Sequence, residues 1–415
     1  MIRTAALLLL FFVVWLPQVH TQDRSMQYYL EAGTQHSPLL KDYRNQVLAA
    51  GIDSMRVRAG YGPQLSGVST NSYAPAWRGY GYDNAITNGG QVSALIVASR
   101  QFVGRKNLDN QLQAVTIQNR GTQNTAAITK QELKKNIIAQ YITAYGDWAQ
   151  YSFNADVLKL LKDEAVLLKR LTETGTYKQT DYLTFLVTQQ QQELLIRQVL
   201  IRYQYDYAQL NYLCGLTDTT FHALPDPALL LEHIPELENT VFFRQFQIDS
   251  MQLENSNAQI DFSYRPKLGL YADGGFNSTL ALNPYKNFGV SAGLTVSVPI
   301  YDGRQRKMQH DKIVISQQTR QGYQDFYIQQ YQQQIRQLAQ QLQSTQELID
   351  QANIQIRYAD GLMVANRRLL MNGDVRIADY IIAINNYLNA KNIITEQQVN
   401  KYQLINQLNY WNSVN

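Results

Sequence analysis

The sequence predicts a mostly α-helical protein with a membrane β-barrel portion, built by duplication of one half. Three observations predict it. Short motifs recur along the chain at an offset of about 198 residues. Each half contains a stretch suited to strands, and in the second half it alternates apolar with small or polar residues at period two. Two very long stretches carry apolar residues at heptad spacing.

The repeat organises the rest. Arg170-Leu171 recurs as Arg368-Leu369, Gly175 as Gly373, and Asp181-Tyr182-Leu183 as Asp379-Tyr380-Ile381. Gln209-Leu210-Asn211-Tyr212 recurs as Gln407-Leu408-Asn409-Tyr410, and all four matches share the offset of 198. Upstream, Phe102-Val103-Gly104-Arg105 pairs with Tyr301-Asp302-Gly303-Arg304, and Tyr61-Gly62-Pro63-Gln64-Leu65 with Tyr264-Arg265-Pro266-Lys267-Leu268. The period is far too long for a solenoid repeat, so this is a duplicated half-protein. The first copy spans 28–213 and the second 241–413, joined by a link at 214–240 that holds Pro225, Pro227 and Pro235.

Residues 1–21 read as an export signal: Arg3 gives a positive start, Ala5 to Leu16 is apolar, and Pro17 breaks the run. That run is too short to span a bilayer, and no later stretch approaches membrane-helix length. The only cysteine is Cys214, so no intrachain disulfide forms. An exported chain of this kind can still enter an outer membrane as a β-barrel.

Each half runs helix, two strands, long helix, return helix. Residues 35–60 read as a helix with Ser37 as its cap, and Pro63 prevents its continuation. Residues 64–103 are rich in Tyr, Gly, Ser and Val and suit two strands around a loop at Asn88-Gly89-Gly90. The matching pair lies at 266–301. There Phe288, Val290, Ala292, Leu294, Val296, Val298 and Ile300 alternate with small or polar residues, as expected of a strand with apolar outer and polar inner faces. Four strands per chain are too few to close a barrel, whereas three chains supply twelve. Pro63 and Pro266 mark the helix-to-strand junctions, and Gly104 and Gly303 the strand-to-helix junctions.

Long helices follow at 105–172 and 304–371, tip turns at 173–180 and 372–378, and return helices at 181–213 and 379–411. In the second long helix Ile335, Leu338, Leu342, Thr345, Ile349, Ala352, Ile356, Ala359 and Met363 keep heptad spacing. In the first, Ile137, Tyr141, Ala144, Trp148, Tyr151, Ala155 and Leu158 do so. About 70 residues of helix extend on the order of 100 Å. Rods of that length pack side by side, and the glutamines at Gln189 to Gln192 and Gln329 to Gln343 read as solvated faces.

The composition argues against other classes. Net charge is +4 with 17% charged residues, and no basic block suggests a nucleic-acid partner. The five histidines show no metal-ligand spacing, no phosphate-binding glycine loop occurs, and no nucleophile-base-acid arrangement is visible. The expectation is a non-enzyme with neither cofactor nor metal. Tyr61, Tyr73, Trp77, Tyr80, Tyr264, Tyr271 and Tyr285 suit interfacial girdles and ordinary strand packing equally.

Four features resemble the outer-membrane efflux protein family, of TolC-like channels. They are the Tyr-x-Pro-x-Leu start of each strand pair, the strand end Val298-Pro299-Ile300-Tyr301-Asp302-Gly303, the tip pattern Gly-x5-Asp-x-Leu/Ile, and the helix end Leu404-Ile405-Asn406-Gln407-Leu408-Asn409. The resemblance covers roughly residues 28–413. It implies a homotrimer with a 12-strand barrel in outer-membrane lipid, continued by a long α-helical barrel across the periplasm. The implied function is a passive exit duct of a tripartite efflux or type I secretion system. An RND- or ABC-type inner-membrane pump drives such a duct through a periplasmic adaptor (membrane fusion) protein. Two positions depart from the pattern: Arg100 stands where the second half has Pro299, and Ile382 stands where a second acidic tip residue would be. The alternative is a non-transporting coiled-coil stalk or adhesin, which the heptads suit but the strand pairs do not.

The tips carry the candidate site. Gly175 and Gly373, with Lys178 and Arg376, are expected to dock the adaptor. Asp181 and Asp379 follow the turns by six residues. Each is either a helix cap near a positive helix end or, under three-fold symmetry, one carboxylate of a constriction ring. The resemblance favours Asp379 for the ring.

Overall fold

The computed structural model describes residues 24–75, 77–81, 90–279 and 284–412, so the expected export signal and the tip of the first strand loop lie outside the described residues. The element order is α1 (Met26–His36), α2 (Pro38–Gly60), β1 (Gln64–Tyr73), β2 (Gly90–Phe102), α3 (Arg105–Glu173) and α4 (Gln179–Cys214). Then come α5 (Val241–Ser263), β3 (Lys267–Ser278), β4 (Phe288–Ser297), α6 (Gln305–Asn372) and α7 (Ile377–Asn409). The helix expected at 35–60 is broken at Ser37, whose hydroxyl accepts from the Leu40 N–H at 3.3 Å with Pro38 in the first turn. The last strand stops at Ser297 although the alternation runs to Ile300, because Pro299 has no N–H to give a ladder.

The four strands form one antiparallel sheet in the order β1-β2-β3-β4. Its register assembles two unlike faces. Phe288, Val290, Leu294 and Val296 of β4 sit across from Phe276, Gly274, Leu270 and Leu268 of β3. Ala94, Ile96, Ala98 and Phe102 of β2 continue that face. The opposite face carries Ser291, Gly293, Thr295 and Ser297 against Asp273, Tyr271, Gly269 and Lys267. The apolar face is open: Val290 is 90% exposed. Arg100 is the charged residue on this face, at its helix-proximal end, with its guanidinium 5.3 Å from the Phe102 ring centre. A long basic side chain there lays its stem on apolar surface and sends its head toward water.

The chain divides into two compact units that cut across the sequence repeats. One comprises the described part of Met1–Gln35 with Ile137–Ala228 and Ala352–Val399; the other comprises His36–Asn136, Leu229–Gln351 and Asn400–Asn415. The second unit holds the sheet and an aromatic core of Phe242, Phe243, Tyr331 and Trp411. In the first unit Tyr29, Tyr141, Tyr203 and Tyr207 are fully buried together, and the Tyr29 hydroxyl donates to that of Tyr207 at 3.1 Å.

Buried amides interrupt the apolar helix contacts. Within the second unit, the Asn110 amide of α3 donates to Asn255 Oδ1 of α5 at 2.7 Å, and Asn124 to Gln245 Oε1 at 3.2 Å. Within the first, Gln192 of α4 donates to Asn154 Oδ1 of α3 at 2.8 Å. Gln192 is therefore not part of a wet face, as its glutamine run suggests; its partner sits on α3 in a packed seam. The α3 heptad residues are buried (Ile137, Tyr141, Ala144) or half-buried (Trp148, Tyr151, Ala155, Leu158), and Asn154, Val157, Leu161 and Leu168 share the core with them.

Candidate functional site

The two tip turns are built alike and lie together in the first unit. α3 ends at Glu173, Gly175 takes φ +80°, and the Thr176 N–H reaches the Leu171 carbonyl at 2.9 Å. α6 ends at Asn372, Gly373 takes φ +79°, and the Asp374 N–H reaches the Leu369 carbonyl at 3.0 Å. Both are Schellman turns, in which a left-handed glycine lets the next N–H satisfy an orphan helix carbonyl. The Tyr177 hydroxyl joins them, bonding the Leu370 carbonyl at 2.9 Å and the Val375 carbonyl at 2.8 Å. Burial raises the Tyr177 pKa, and the carboxylates of Asp374 and Asp181 raise it further, so it remains a donor.

Beneath the turns is a core of Leu161, Leu168, Phe185, Leu370, Ile377 and Tyr380. Its charged component is an ion pair between the fully buried Glu164 of α3 and Arg367 of α6. Sequence reading did not find this pair, because neither residue belongs to a repeated motif. The buried Tyr380 hydroxyl and one oxygen of Glu164 have no hydrogen-bond partner among the described residues. Burial, with the Glu164 charge nearby, raises the Tyr380 pKa.

The two aspartates occupy equivalent places and different environments. α4 starts after Lys178 and α7 after Arg376, which puts Asp181 and Asp379 at the third helical position. Asp379 receives two bonds of 2.9 Å from the Arg376 guanidinium, which holds its carboxyl below the usual carboxylate range. Asp181 makes no ion pair or side-chain hydrogen bond among the described residues. Lys178 gives no side-chain cap bond either. Each carboxylate faces the positive end of its helix. Lys178 and Arg376 are exposed, as are Gly175, Gly373 and Ile382.

The junction residues diverge between the copies. Pro63 and Pro266 each precede a strand by one residue. At the strand-to-helix junctions, Gly104 accepts from Asn107 and Leu108 and serves directly as the helix cap. In the second copy Gly303 and Arg304 both take positive φ, and Asp302 caps α6 by accepting the Arg304 and Arg306 N–H groups at 2.9 and 2.7 Å. Val103 stands at the corresponding place in the first copy, so the cap exists only once.

Farther along α3 in the same unit as the tips, Asp147 is held by Arg202 at 2.6 Å and lies near Asp206. Burial and the neighbouring Asp206 carboxyl push its pKa up to about 6 against the opposing pull of Arg202. Among the described residues, no cluster of His, Cys, Asp or Glu could hold a metal ion, and no helix is long and apolar enough to cross a membrane.

No family model matches the chain, and no curated protein matches it. Solved structures do. CusC, known from structures describing transmembrane channel formation, aligns at TM-score 0.75 and 13% identity over 95% of this chain and 93% of its own. The outer membrane protein VceC from Vibrio cholerae aligns at TM-score 0.75 and 13% identity, covering 94% and 96%. The open MtrE outer membrane channel of Neisseria gonorrhoeae aligns at TM-score 0.71 and 12% identity, covering 93% and 88%. The fold is that of the TolC-like outer-membrane channels.

Proposed function

We propose that the chain is one subunit of a homotrimeric exit duct in the outer membrane, extending into the periplasm, and that it transports passively and catalyses nothing. One observation carries the reading: a four-stranded sheet whose β3 and β4 present an exposed apolar face and a mostly small or polar opposite face, with no further strand beside β1 or β4 among the described residues. In lipid each orphaned backbone group costs several kcal/mol, so such a sheet is stable in a membrane only when further copies close it. Three copies give a 12-strand barrel. The family fold supplies the rest of the reading: an inner-membrane pump of RND or ABC type delivers cargo through a periplasmic adaptor, in a tripartite efflux or type I secretion system. Single-channel recording in planar bilayers tests the duct, with discrete conductance steps expected. A protein that inserts but never conducts would return the chain to a non-conducting envelope stalk.

The tip assignments follow from that reading. Gly175 and Gly373 present Lys178 and Arg376 for adaptor docking. Cysteines at those two positions are expected to crosslink to an adaptor in cells, and no crosslink at either would withdraw the docking role. Asp379 and Asp181 form carboxylate rings at the narrow end, where close like charges select for cations. Asp379→Asn lowers cation selectivity and weakens block by multivalent cations, and Asp181→Asn changes them less. Unchanged selectivity and block with lowered thermal stability would leave Asp379 as a helix-end stabiliser only.

A further inference from the structure

Partway along the seam between α3 and α4 the first unit buries more negative charge than it neutralises. Asp147 of α3 is 7% exposed, in a run where Ala144 and Gly146 are also buried. Gly146 lets Val399 of α7 close over the helix: a Cβ there would stand 2.5 Å from Val399 Cγ2. From α4 come Arg202 and Asp206. The Trp148 and Tyr203 rings, with centres 5.3 Å apart, close the seam at the same level.

The hydrogen bonds of this cluster leave one acceptor over. Arg202 Nε donates to Asp147 Oδ1 at 2.6 Å, and Nη2 of the same guanidinium donates to Gln150 Oε1. Gln140 donates to the Asp206 backbone carbonyl at 3.0 Å and to Asp206 Oδ1 at 3.2 Å. Asp147 Oδ2 is buried and receives no hydrogen bond among the described residues. Its neighbour is the Asp206 carboxyl, which lies within hydrogen-bonding reach. Two ionised carboxylates cannot bond each other, because each only accepts. One guanidinium against two carboxylates also leaves one negative charge in excess where burial makes charge costly.

A proton suits this place better than a metal ion. Hard cations take six or more oxygens, and no cluster of three or more His, Cys, Asp or Glu is present among the described residues. A proton needs two oxygens. Placed on Asp147 Oδ2, it turns the unbonded acceptor into a donor to Asp206 and removes the excess charge. The raised Asp147 pKa agrees with this geometry.

The charges on the neighbouring elements do not compete. Arg24, before α1, is paired with Asp218. Asp226 of the proline-containing link accepts the Tyr145 hydroxyl at 2.9 Å. On α7, Glu396 is exposed and Lys401 donates to Gln346 at 2.8 Å. The Tyr203 hydroxyl is taken by the His222 carbonyl.

We propose that Asp147 and Asp206 share one bound proton, which makes them an acid-engaged latch between α3 and α4. Below neutrality the carboxyl of Asp147 donates to that of Asp206 and the two rods are held together at this level. As pH rises the proton leaves to water, both groups ionise, and they repel across the seam. The sign follows from linkage. The folded Asp147 pKa of about 6 lies above the unfolded value near 3.9, so the latch stabilises fully below the lower value and is lost as pH rises through the upper.

Hydrogen exchange of the full chain in detergent tests this, with rates corrected for the intrinsic effect of pH. Amides flanking Asp147 and Asp206 are expected to lose about tenfold in protection between about pH 5 and about pH 7.5. Amides flanking Asn110 and Asn255, a seam without carboxylates in contact, are expected to stay level. Asp147→Asn and, separately, Asp206→Asn each supply an amide donor in place of the proton. Both variants are expected to keep the protection of the acid form at either pH. A wild-type seam whose protection does not fall, an equal fall at Asn110 and Asn255, or variants that keep the wild-type slope would each overturn the latch. Calcium chloride restoring protection at the higher pH would make the ligand a cation and overturn the proton.

Discussion

The two tip turns share a backbone and differ in how their charges are held. Gly175 and Gly373 have φ values within a degree of each other and close the same Schellman bonds. Yet Arg376 grips Asp379 through two hydrogen bonds, while Lys178 and Asp181 stand apart. Arginine presents a rigid fork that matches a carboxylate; lysine, a single flexible ammonium, does not. Tyr177 extends the asymmetry, for its counterpart in the second copy is Val375, the residue whose carbonyl it bonds. Duplication preserved the turn, and divergence converted two equal turns into a braced pair.

The largest expected effect breaks that bracing from below. Arg367→Ala leaves Glu164 buried without its cation and should cost about 3 kcal/mol, near the lower end for a buried pair because Arg367 is half-exposed. The repeat counterpart Lys169→Ala should stay within about 0.5 kcal/mol, since it is an exposed helix position. Thermal unfolding of both variants in one detergent checks the contrast, and equal losses would deny the pair its role.

Next is Tyr177→Phe, which strips the hydroxyl joining the turns. A loss of about 2 kcal/mol is expected from the missing bond and the carbonyls left behind. Faster hydrogen exchange confined to the two turns would locate the effect; unchanged exchange would remove the bridge from the account.

The glycines should separate more finely. Alanine at either left-handed position costs about 1 kcal/mol. A Cβ at Gly373 would also meet Thr176 Cγ2 at 3.1 Å, whereas Gly175 faces open space. Gly373→Ala is therefore expected to melt below Gly175→Ala, and the reverse order would contradict the packing.

The smallest effect concerns acid. Arg376 lowers the Asp379 pKa in the folded chain, so this pair stabilises fully above the unfolded aspartate value near 3.9 and loses its contribution as pH falls through the folded value. Asp379→Asn should flatten the acid limb of the stability curve slightly. A steeper limb would mean the carboxylate is protonated first, against the geometry.

The fold was legible where one signal repeated. All nine α6 heptad residues are buried or half-buried, because apolar side chains there happen to coincide with the stripe. The seven α3 heptad residues are likewise buried or half-buried, but the core there also takes in Asn154, which no apolar periodicity marks. Ser37 was readable as a cap because its partner is three residues away. Asp302 was not, although its cap is equally local, because the repeat drew attention to Gly303 instead. Glu164 and Arg367 lie about two hundred residues apart, and no periodicity in one sequence joins such a pair. The tip turns were visible as a recurring Gly and Asp, but their difference resides in Arg376 against Lys178, a distinction of side-chain geometry rather than of charge.

The buried amides have a consequence for assembly order along the rods. Apolar seams alone would tolerate sliding one helix past another by a heptad, about 10 Å, since Leu, Ile and Ala meet similar neighbours after each slide. Asn110 with Asn255, Asn124 with Gln245, and Asn154 with Gln192 forbid it. These pairs work as notches on a ruler. Any whole-heptad slip strands several amides in oil at once, at about 1–3 kcal/mol each. The helices are thereby indexed as well as glued, and each has one fixed register along its neighbour.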